Sequence, residues 1–285
     1  MPAKYGLLDS IPDAVVVTDR DGEIVFVNHN AERLSGYRLP ELIGRKVELL
    51  VPVRLRRQHV QHRRDFYDRG VARRMGEAER DFKLRRKDGV SVAVEISLGP
   101  AGRNTMAVIR DVTERRLMEK ALEHRALHDP LTDLANRTLF FDRLRQSIYN
   151  ARRESTQLAL IIMDLDGFKA VNDTYGHAVG DEVLRRLAKR LRAGMRATDT
   201  VARLGGDEFA WILPHVNGRA AAQRMVRKRL ASLRRSISVD PHRVAIGVSA
   251  GLAIYPNDGR DTDSLTRQAD AEMYAAKRES GRSDR

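Results

Sequence analysis

The segment 202–213, ARLGGDEFAWIL, constrains the fold more than any other part of the sequence. Two apolar, strand-like runs flank Gly205, Gly206, Asp207 and Glu208, and paired glycines allow the positive φ angles that a tight turn requires. The pattern therefore predicts an antiparallel hairpin. Its turn carries two carboxylates and has no side chain above its two glycines.

A third carboxylate, Asp164, follows an apolar run that reads as a buried strand. If this strand lies beside the hairpin, Asp164, Asp207 and Glu208 supply hard oxygen ligands next to bare backbone. Such a set suits Mg²⁺, which proteins bind through one or two carboxylates together with substrate phosphates. Each motif alone is also typical of an ordinary turn or strand end, so the residues indicate magnesium-dependent phosphate chemistry and no more.

The C-terminal half alternates helical and strand-like patterns, and we expect helices packed on one face of a mainly antiparallel sheet, an α+β arrangement. The first helix should begin after an Asp or Thr cap. The expected helices are 131–153, 179–195, 217–235 and 263–279, and the expected strands are 158–168, 244–256 and the hairpin 200–214.

The N-terminal half mixes short strands with short helices. The β-rich runs 14–19 and 24–28 flank Asp21-Gly22, and Asp88-Gly89 separates two alternating segments, so both places predict hairpins. With the run 105–113 these segments predict a five-stranded antiparallel sheet. The following segment, 112–128, contains good helix formers and no Gly or Pro, which predicts a connecting helix able to pair in a dimer.

Composition excludes several classes of function. The chain contains no cysteine, so disulfides, thiolate metal sites and cysteinyl flavin adducts are excluded. No run approaches the roughly 20 apolar residues of a membrane helix, and we expect a cytoplasmic protein without membrane contact. The net charge of +13 attracts polyanions, but the basic segment 54–64 lacks interleaved aromatics, which favours a solvated helix face over a nucleic-acid platform.

Several motifs resemble known families. HDPLTDLANR (128–137), DLDGFKAVNDTYGHAVGD (164–181), GGDEF (205–209), SAGLAIYPNDG (249–259) and ADAEMYAAK (269–277) occur in the order of GGDEF diguanylate cyclase domains. The segments VVVTDRDGEIVFVNHNAERLSGY, RRKDG and IRDVTERR resemble a PAS domain. The resemblance implies a PAS sensor domain over 1–113, a signalling helix over 114–127 and a ferredoxin-like, cyclase-type GGDEF domain over 128–285.

The resemblance also implies roles for the acidic residues. Asp164 and Asp207, with the backbone carbonyl of Leu165, would hold two Mg²⁺ ions in each active site. Glu208 would bind metal or deprotonate the attacking 3′-hydroxyl, and the sequence leaves these two roles open.

Five further residues match substrate-binding positions of the family. Asn172 and Asp181 would bind guanine, Gly205 and Gly206 would allow the nucleotide to approach the backbone, and Lys277 would bind phosphate. The family tail normally has one residue fewer after this lysine, so no role is assigned to Arg282.

The implied reaction condenses two GTP into cyclic di-GMP and two pyrophosphates between two facing domains. It therefore requires a homodimer, which the PAS domain and connecting helix would form. Arg196 and Asp199 stand at the spacing of the family's RxxD site, where product would bind and inhibit. The alternative is an inactive GGDEF module that serves as a receptor for GTP or cyclic di-GMP.

The ligand of the PAS domain is not predicted. His59 falls where haem-binding PAS domains carry their proximal histidine, but His62 and neighbouring arginines make this stretch more polar than a haem pocket. A helix-surface histidine is therefore favoured over haem ligation.

Overall fold

The computed structural model describes residues 3–69, 73–75 and 82–283. The chain divides into two compact units, Met1–Ala121 and Leu122–Arg285. The division falls within the long helix α4 (Thr113–Leu127), which corresponds to the predicted connecting helix. The exact domain limits 1–113, 114–127 and 128–285 stay a prediction.

The first unit is built around an antiparallel sheet. Its strands are β1 (Ala14–Thr18), β2 (Ile24–Val27), β3 (Arg73–Met75), β4 (Phe82–Arg85), β5 (Ser91–Ala101) and β6 (Asn104–Asp111). Its helices are α1 (His29–Ser35), α2 (Leu39–Leu42) and α3 (Arg56–Arg69), with 3-10 turns at Ala3–Ser10, Val47–Leu50 and Val53–Leu55. The spatial order is β2-β1-β6-β5-β3, and β4 also pairs with β5.

Both predicted hairpins of this unit are confirmed. β1 pairs antiparallel with β2, and β4 pairs antiparallel with β5 across the Asp88-Gly89 turn. The predicted five-stranded sheet has five strand positions, but two short segments share the outer one. β4 pairs with residues 91–94 of β5, and β3 pairs with residues 96–98.

The second unit has a four-stranded sheet of order β12-β7-β9-β8, in which all neighbours are antiparallel. Its strands are β7 (Leu158–Asp166), β8 (Thr200–Gly205), β9 (Glu208–Pro214) and β12 (Gly247–Tyr255), and β10 (Ile237–Val239) and β11 (His242–Val244) form a separate hairpin. Its helices are α5 (Arg137–Glu154), α6 (Phe168–Tyr175), α7 (His177–Arg192), α8 (Gly218–Leu233) and α9 (Thr262–Ser283). The hairpin predicted over 200–214 is thus confirmed as β8 and β9.

Helices cover both faces of this sheet, so the prediction of helices on one face was wrong. Along β7, Ile161 and Met163 belong to the core with α6, α7 and α8, whereas Leu160 and Ile162 belong to the core with α5 and α9. Successive side chains of a strand point to opposite faces, so a central strand between two helical layers must be apolar throughout. Such a continuous apolar run has no alternation of apolar and polar residues, so it does not indicate whether helices cover one face of the sheet or both.

The first helix of this unit starts later than predicted. α5 begins at Arg137, and its cap is Asn136, whose side chain accepts a hydrogen bond from the backbone of Leu139 at 3.1 Å. The Asp and Thr expected as caps belong instead to the preceding loop, where the carboxylate of Asp129 accepts from the backbone and the hydroxyl of Thr132. Among the described residues, no helix is long and apolar enough to cross a bilayer.

Candidate active site

Two carboxylates face each other on neighbouring strands at one end of the second sheet. In the register of β7 and β9, Asp164 lies directly opposite Glu208, immediately after the pair Met163 and Phe209. Directly opposed side chains have their Cβ atoms about 5 Å apart. Asp164 is 8% exposed, so this negative charge is largely withdrawn from water.

The surroundings of Glu208 raise the pKa of its carboxyl. Burial raises the pKa of this carboxyl, and the charges of Asp164, Asp270 and Asp207 raise it further, while Arg137 opposes them. Burial and the three negative charges disfavour the ionised form of Glu208, whereas the positive charge of Arg137 favours it. The site therefore carries more negative charge than its own side chains neutralise.

Lys277 provides a partial balance from helix α9. Its Nζ lies 2.6 Å from Oδ1 of Asp164, and this contact is the main cause that raises the pKa of Lys277. The charges of Asp207 and Asp166 act in the same direction. An ammonium is thus already held where the buried carboxylate needs a cation.

The turn beside these acids is open. Gly205 has φ 147° and Gly206 has φ 53°, and a Cβ built on either would meet no atom within 4 Å. The positive φ of Gly206 is one that other residues adopt only with strain. The turn therefore presents free backbone next to Asp207, as the sequence predicted.

Asn172, one of the predicted guanine-binding residues, lies on α6 where this helix packs against α7. Gly176 separates the two helices, and the amide of Asn172 on α6 lies against Gly180 of α7. A Cβ on Gly180 would be 1.9 Å from Oδ1 of Asn172. The missing side chain at this position therefore allows Asn172 to approach α7 at the residue before Asp181.

Arg196 and Asp199 lie in one turn before β8. The carboxylate of Asp199 accepts from the backbone N–H of Arg196 at 2.9 Å, and the N–H of Asp199 donates to the carbonyl of Arg196 at 3.1 Å. The side chain of Arg196 is exposed. The two predicted product-site residues are thus held together by a local turn, and Arg196 is exposed to solvent.

The acidic side chains of the site suit a hard divalent cation that also takes oxygen ligands from a bound phosphate. Within the described residues, no group of three His, Cys, Asp or Glu side chains converges to hold a metal alone. Asp166 is directed to β12, where its Oδ1 accepts from Ser249 Oγ at 2.7 Å. Mg²⁺ commonly takes one or two carboxylates and completes its shell with water and phosphate oxygens, so the unbalanced charge around Asp164 and Glu208 fits this ion.

Two clefts in the described part of this unit lie apart from the open turn, and neither is lined by residues 205–208. One of about 180 Å³ lies near Pro214, which pairs with Leu158 at the other end of β7. At about 3.3 Å per residue, that end lies roughly 20 Å from Asp164 along the strand. Another, of about 240 Å³, reaches Asp166 but is otherwise formed by α6 and the segment before β12.

Sequence reasoning missed two charged residues of the site, Asp270 and Arg137. Burial raises the pKa of Asp270, and Arg137 lowers it. Both lie inside motifs quoted above without a role. Asp270 stands seven residues before Lys277 on α9, which is two helical turns and hence the same face, and this spacing could have identified it.

In the first unit, His59 is engaged by a carboxylate. Its Nδ1 donates to Oε1 of Glu48 at 3.0 Å, and Nε of Arg63 donates to the same oxygen at 3.2 Å. Burial raises the pKa of Glu48, but the bond from His59 and the charge of Arg63 outweigh it and lower the pKa to about 2. The surroundings of His59 are therefore ionic. That His59 is a surface histidine rather than a haem ligand stays a prediction.

The fold and the acidic turn define the second unit as a GGDEF domain, preceded by a PAS domain. The family model described as "Diguanylate cyclase, GGDEF domain" matches residues 126–283, and a PAS domain model matches residues 12–114. The chain therefore belongs to the GGDEF diguanylate cyclase family, and the family resemblance of the sequence is confirmed.

Similar proteins include "Bifunctional diguanylate cyclase/cyclic di-GMP phosphodiesterase MucR" of Pseudomonas aeruginosa, 48% identical over 53% of this chain and 22% of that protein. "Probable diguanylate cyclase DgcE" of Escherichia coli (strain K12) is 37% identical over 95% of this chain and 25% of that protein. The chain spans about a quarter of the length of these two relatives.

A solved structure shares the fold of the second unit. The coiled coil and GGDEF domain of DgcB from Caulobacter crescentus, in complex with c-di-GMP, is 31% identical and has a TM-score of 0.54. The match covers 59% of this chain and 88% of that chain.

Proposed function

We propose that this chain condenses two GTP molecules into cyclic di-GMP and two pyrophosphates. The observation that carries the proposal is the pair Asp164 and Glu208, which are opposed on neighbouring strands beside an open glycine turn. The ammonium of Lys277 forms an ion pair with Asp164. This arrangement offers acids for metal and a bare surface for a nucleotide. Membership of the GGDEF family supports the choice of reaction.

The acids would hold the substrate phosphates through Mg²⁺. Asp164 and Asp207, with the backbone carbonyl of Leu165, are the proposed ligands of two ions. When bound, the metal would neutralise charge at the phosphate and lower the pKa of the attacking hydroxyl. Lys277 would exchange part of its contact with Asp164 for phosphate oxygens.

Glu208 is the proposed acceptor of the proton from the 3′-hydroxyl. A carboxylate whose pKa is raised by burial and by neighbouring acids is a stronger base than a solvated one. In the step, the O–H bond of the 3′-hydroxyl breaks, a bond forms from that oxygen to the α-phosphorus of the second GTP, and pyrophosphate leaves. Two such steps close the ring.

Asn172 and Asp181 are the proposed guanine-binding residues. A carboxylate that accepts from N1 and N2 of guanine loses both partners when adenine is bound, and such unpaired polar groups give strong discrimination. Asp181→Ser should therefore erode the preference for GTP over ATP. Unchanged selectivity would place the base contact elsewhere.

The direct test is purified protein with Mg²⁺ and GTP, ATP or both, with products separated by chromatography. Asp207→Ala should abolish cyclic di-GMP while the far-UV spectrum and melting temperature stay close to wild type. Undiminished turnover of that variant would refute the assigned metal site. Tight binding of GTP or cyclic di-GMP without any turnover by wild type would favour the receptor alternative.

Product binding at Arg196 and Asp199 is the proposed route of feedback. The exposed guanidinium can stack on guanine or pair with phosphate, and the carboxylate can accept from the base. The c-di-GMP bound by the GGDEF domain of DgcB supports a product site in this family. Addition of cyclic di-GMP should therefore slow the wild-type enzyme.

A homodimer is proposed because each GTP must meet the other. Helix α4 exposes three large apolar side chains, Leu117, Met118 and Leu122, to solvent in the single chain. A truncation that starts near His124 keeps the whole GGDEF domain but should lose most activity at low concentration and regain it as concentration rises. Full activity at nanomolar concentration without that dependence would show that the PAS domain and α4 do not bring the domains together.

A further inference from the structure

The guanidinium of Arg203 binds the backbone of the glycine turn. Arg203 lies on β8, where the pairing with β9 shifts register before Gly205. Its Nε and Nη2 both donate to the carbonyl oxygen of Gly206, at 2.9 and 2.7 Å. This carbonyl belongs to the peptide that joins Gly206 to Asp207, so the contact fixes the plane from which Asp207 departs.

The same guanidinium is held from the other side by Asp129. Nη1 of Arg203 donates to both carboxylate oxygens of Asp129, at 3.1 and 3.2 Å. The two side chains are only 12% and 17% exposed, so solvent screens the ion pair weakly. Burial opposes ionisation of Asp129, but bonds from Thr132 and Arg203 lower its pKa.

Asp129 is itself fixed by its own loop. Its carboxylate accepts from the backbone N–H of Thr132 at 2.8 Å and from the hydroxyl at 2.6 Å, and its backbone N–H donates to Leu134 at 2.8 Å. The chain of contacts therefore runs from the loop after α4, through a nearly buried ion pair, to a carbonyl of the open turn.

We propose that Arg203 and Asp129 are positioning residues for the catalytic turn, an inference that rests on the proposed cyclase function. Two adjacent glycines allow the turn many backbone conformations, and no atom lies within 4 Å of the position that a Cβ would take on either. The contact of Arg203 with the Gly206 carbonyl selects the one conformation that presents Asp207 and Glu208 beside Asp164. Asp129 acts through Arg203, because it orients the guanidinium that binds the carbonyl.

The geometry requires arginine rather than a positive charge alone. A planar guanidinium donates from one edge to Gly206 and from another to Asp129, whereas a single ammonium is a point donor at the end of a flexible stem. Arg203→Lys keeps the charge that Asp129 needs and so avoids an unpaired buried carboxylate. It removes the simultaneous contact with both partners.

The experiment compares full-length wild type with Arg203→Lys and Asp129→Asn. A matched control is Arg219→Lys, because Arg219 also bridges two acids, Asp258 and Glu272, neither of which belongs to the turn. For each protein we would measure the melting temperature, kcat and KM for GTP, and the Mg²⁺ concentration for half-maximal rate. Amide hydrogen exchange of peptides spanning residues 200–212 would be followed without metal or nucleotide.

We expect both turn variants to lose at least tenfold in kcat and to need more Mg²⁺, with KM changed by less than threefold because the guanine contacts remain. Exchange should rise in the 200–212 peptides of these variants only. The Arg219→Lys control should keep wild-type kcat and exchange in that region, whatever its melting temperature.

Two results would overturn the inference. One is unchanged exchange across 200–212 in Arg203→Lys. The other is a loss of kcat that tracks melting temperature equally in the Arg203 and Arg219 variants, which would reduce Arg203 to a stabilising ion pair. If wild type itself makes no cyclic di-GMP, the proposed function fails. The hydrogen-exchange data alone then decide whether the contact of Arg203 with Gly206 orders the turn.

Discussion

Substitution of Gly180 by alanine should separate substrate recognition from stability. A Cβ at this position would lie 1.9 Å from Oδ1 of Asn172 and 3.1 Å from its Cγ, while Cζ of Phe168 is 3.3 Å away. Real Cβ atoms essentially never approach another heavy atom closer than 3.0 Å, so the amide of Asn172 must move by about 1 Å or more. The amide is the end of a flexible side chain, so this movement costs little stability.

The backbone effect has the opposite sign. Gly180 lies inside α7, where alanine is favoured over glycine by about 1 kcal/mol. For a domain of this size, that corresponds to a rise of about 2–4 °C in melting temperature, which the displaced amide will partly offset. Gly180→Ala should therefore melt within a few degrees of wild type.

Catalysis should respond far more strongly. Misplacement of a positioning group by about 1 Å can cost on the order of 100-fold in rate. We expect kcat/KM for GTP to fall by roughly 10- to 100-fold, with most of the loss in KM, because Asn172 is proposed to bind the base. The assay is steady-state formation of cyclic di-GMP at several GTP concentrations.

A double-mutant cycle supplies the control. In an Asn172→Ala background, Gly180→Ala should have little further effect on kcat/KM, because the displaced group is already absent. Additive losses would mean that Gly180 acts through the backbone of α7. An unchanged kcat/KM in the single variant would refute the assignment of Asn172 to guanine.

Three further outcomes follow from individual contacts. Since the pKa of Glu208 is raised in the folded state, the stability that its protonated form contributes is present below about pH 4.5 and is lost as pH rises through the folded pKa. Glu208→Gln in EDTA should therefore melt above wild type at neutral pH, with no difference at pH 4. Gly251→Ala should destabilise the second unit by about 3 kcal/mol in urea unfolding, because its Cβ would lie 1.9 Å from the backbone carbonyl of Ala269, which cannot rotate away. Arg196→Ala should relieve inhibition by added cyclic di-GMP and retain the uninhibited rate; equal inhibition of both proteins would assign the effect to competition at the active site.

The sequence alone predicted the features that depend on neighbouring residues. The hairpin around Gly205 and Gly206, the buried strand before Asp164 and the connecting helix each follow from local period, turn chemistry or helix propensity. Family motifs then supplied the identity of the GGDEF domain, because their order along the chain is itself a sequence property. None of these inferences needed the distance between two remote residues.

Tertiary structure decided what depends on register and on packing between elements. A shift of one residue between β7 and β9 would turn Glu208 away from Asp164, and no local pattern specifies that register. The second helical layer was missed because a strand buried on both faces has no alternation to report it.

The contact of Arg203 with Asp129 spans 74 residues and depends on where the loop after α4 lies. The clash-free approach of Asn172 to Gly180 depends in turn on how α6 packs on α7. Such contacts form only when burial of the apolar core has fixed the positions of whole elements, because each is too weak by itself to bring remote segments together.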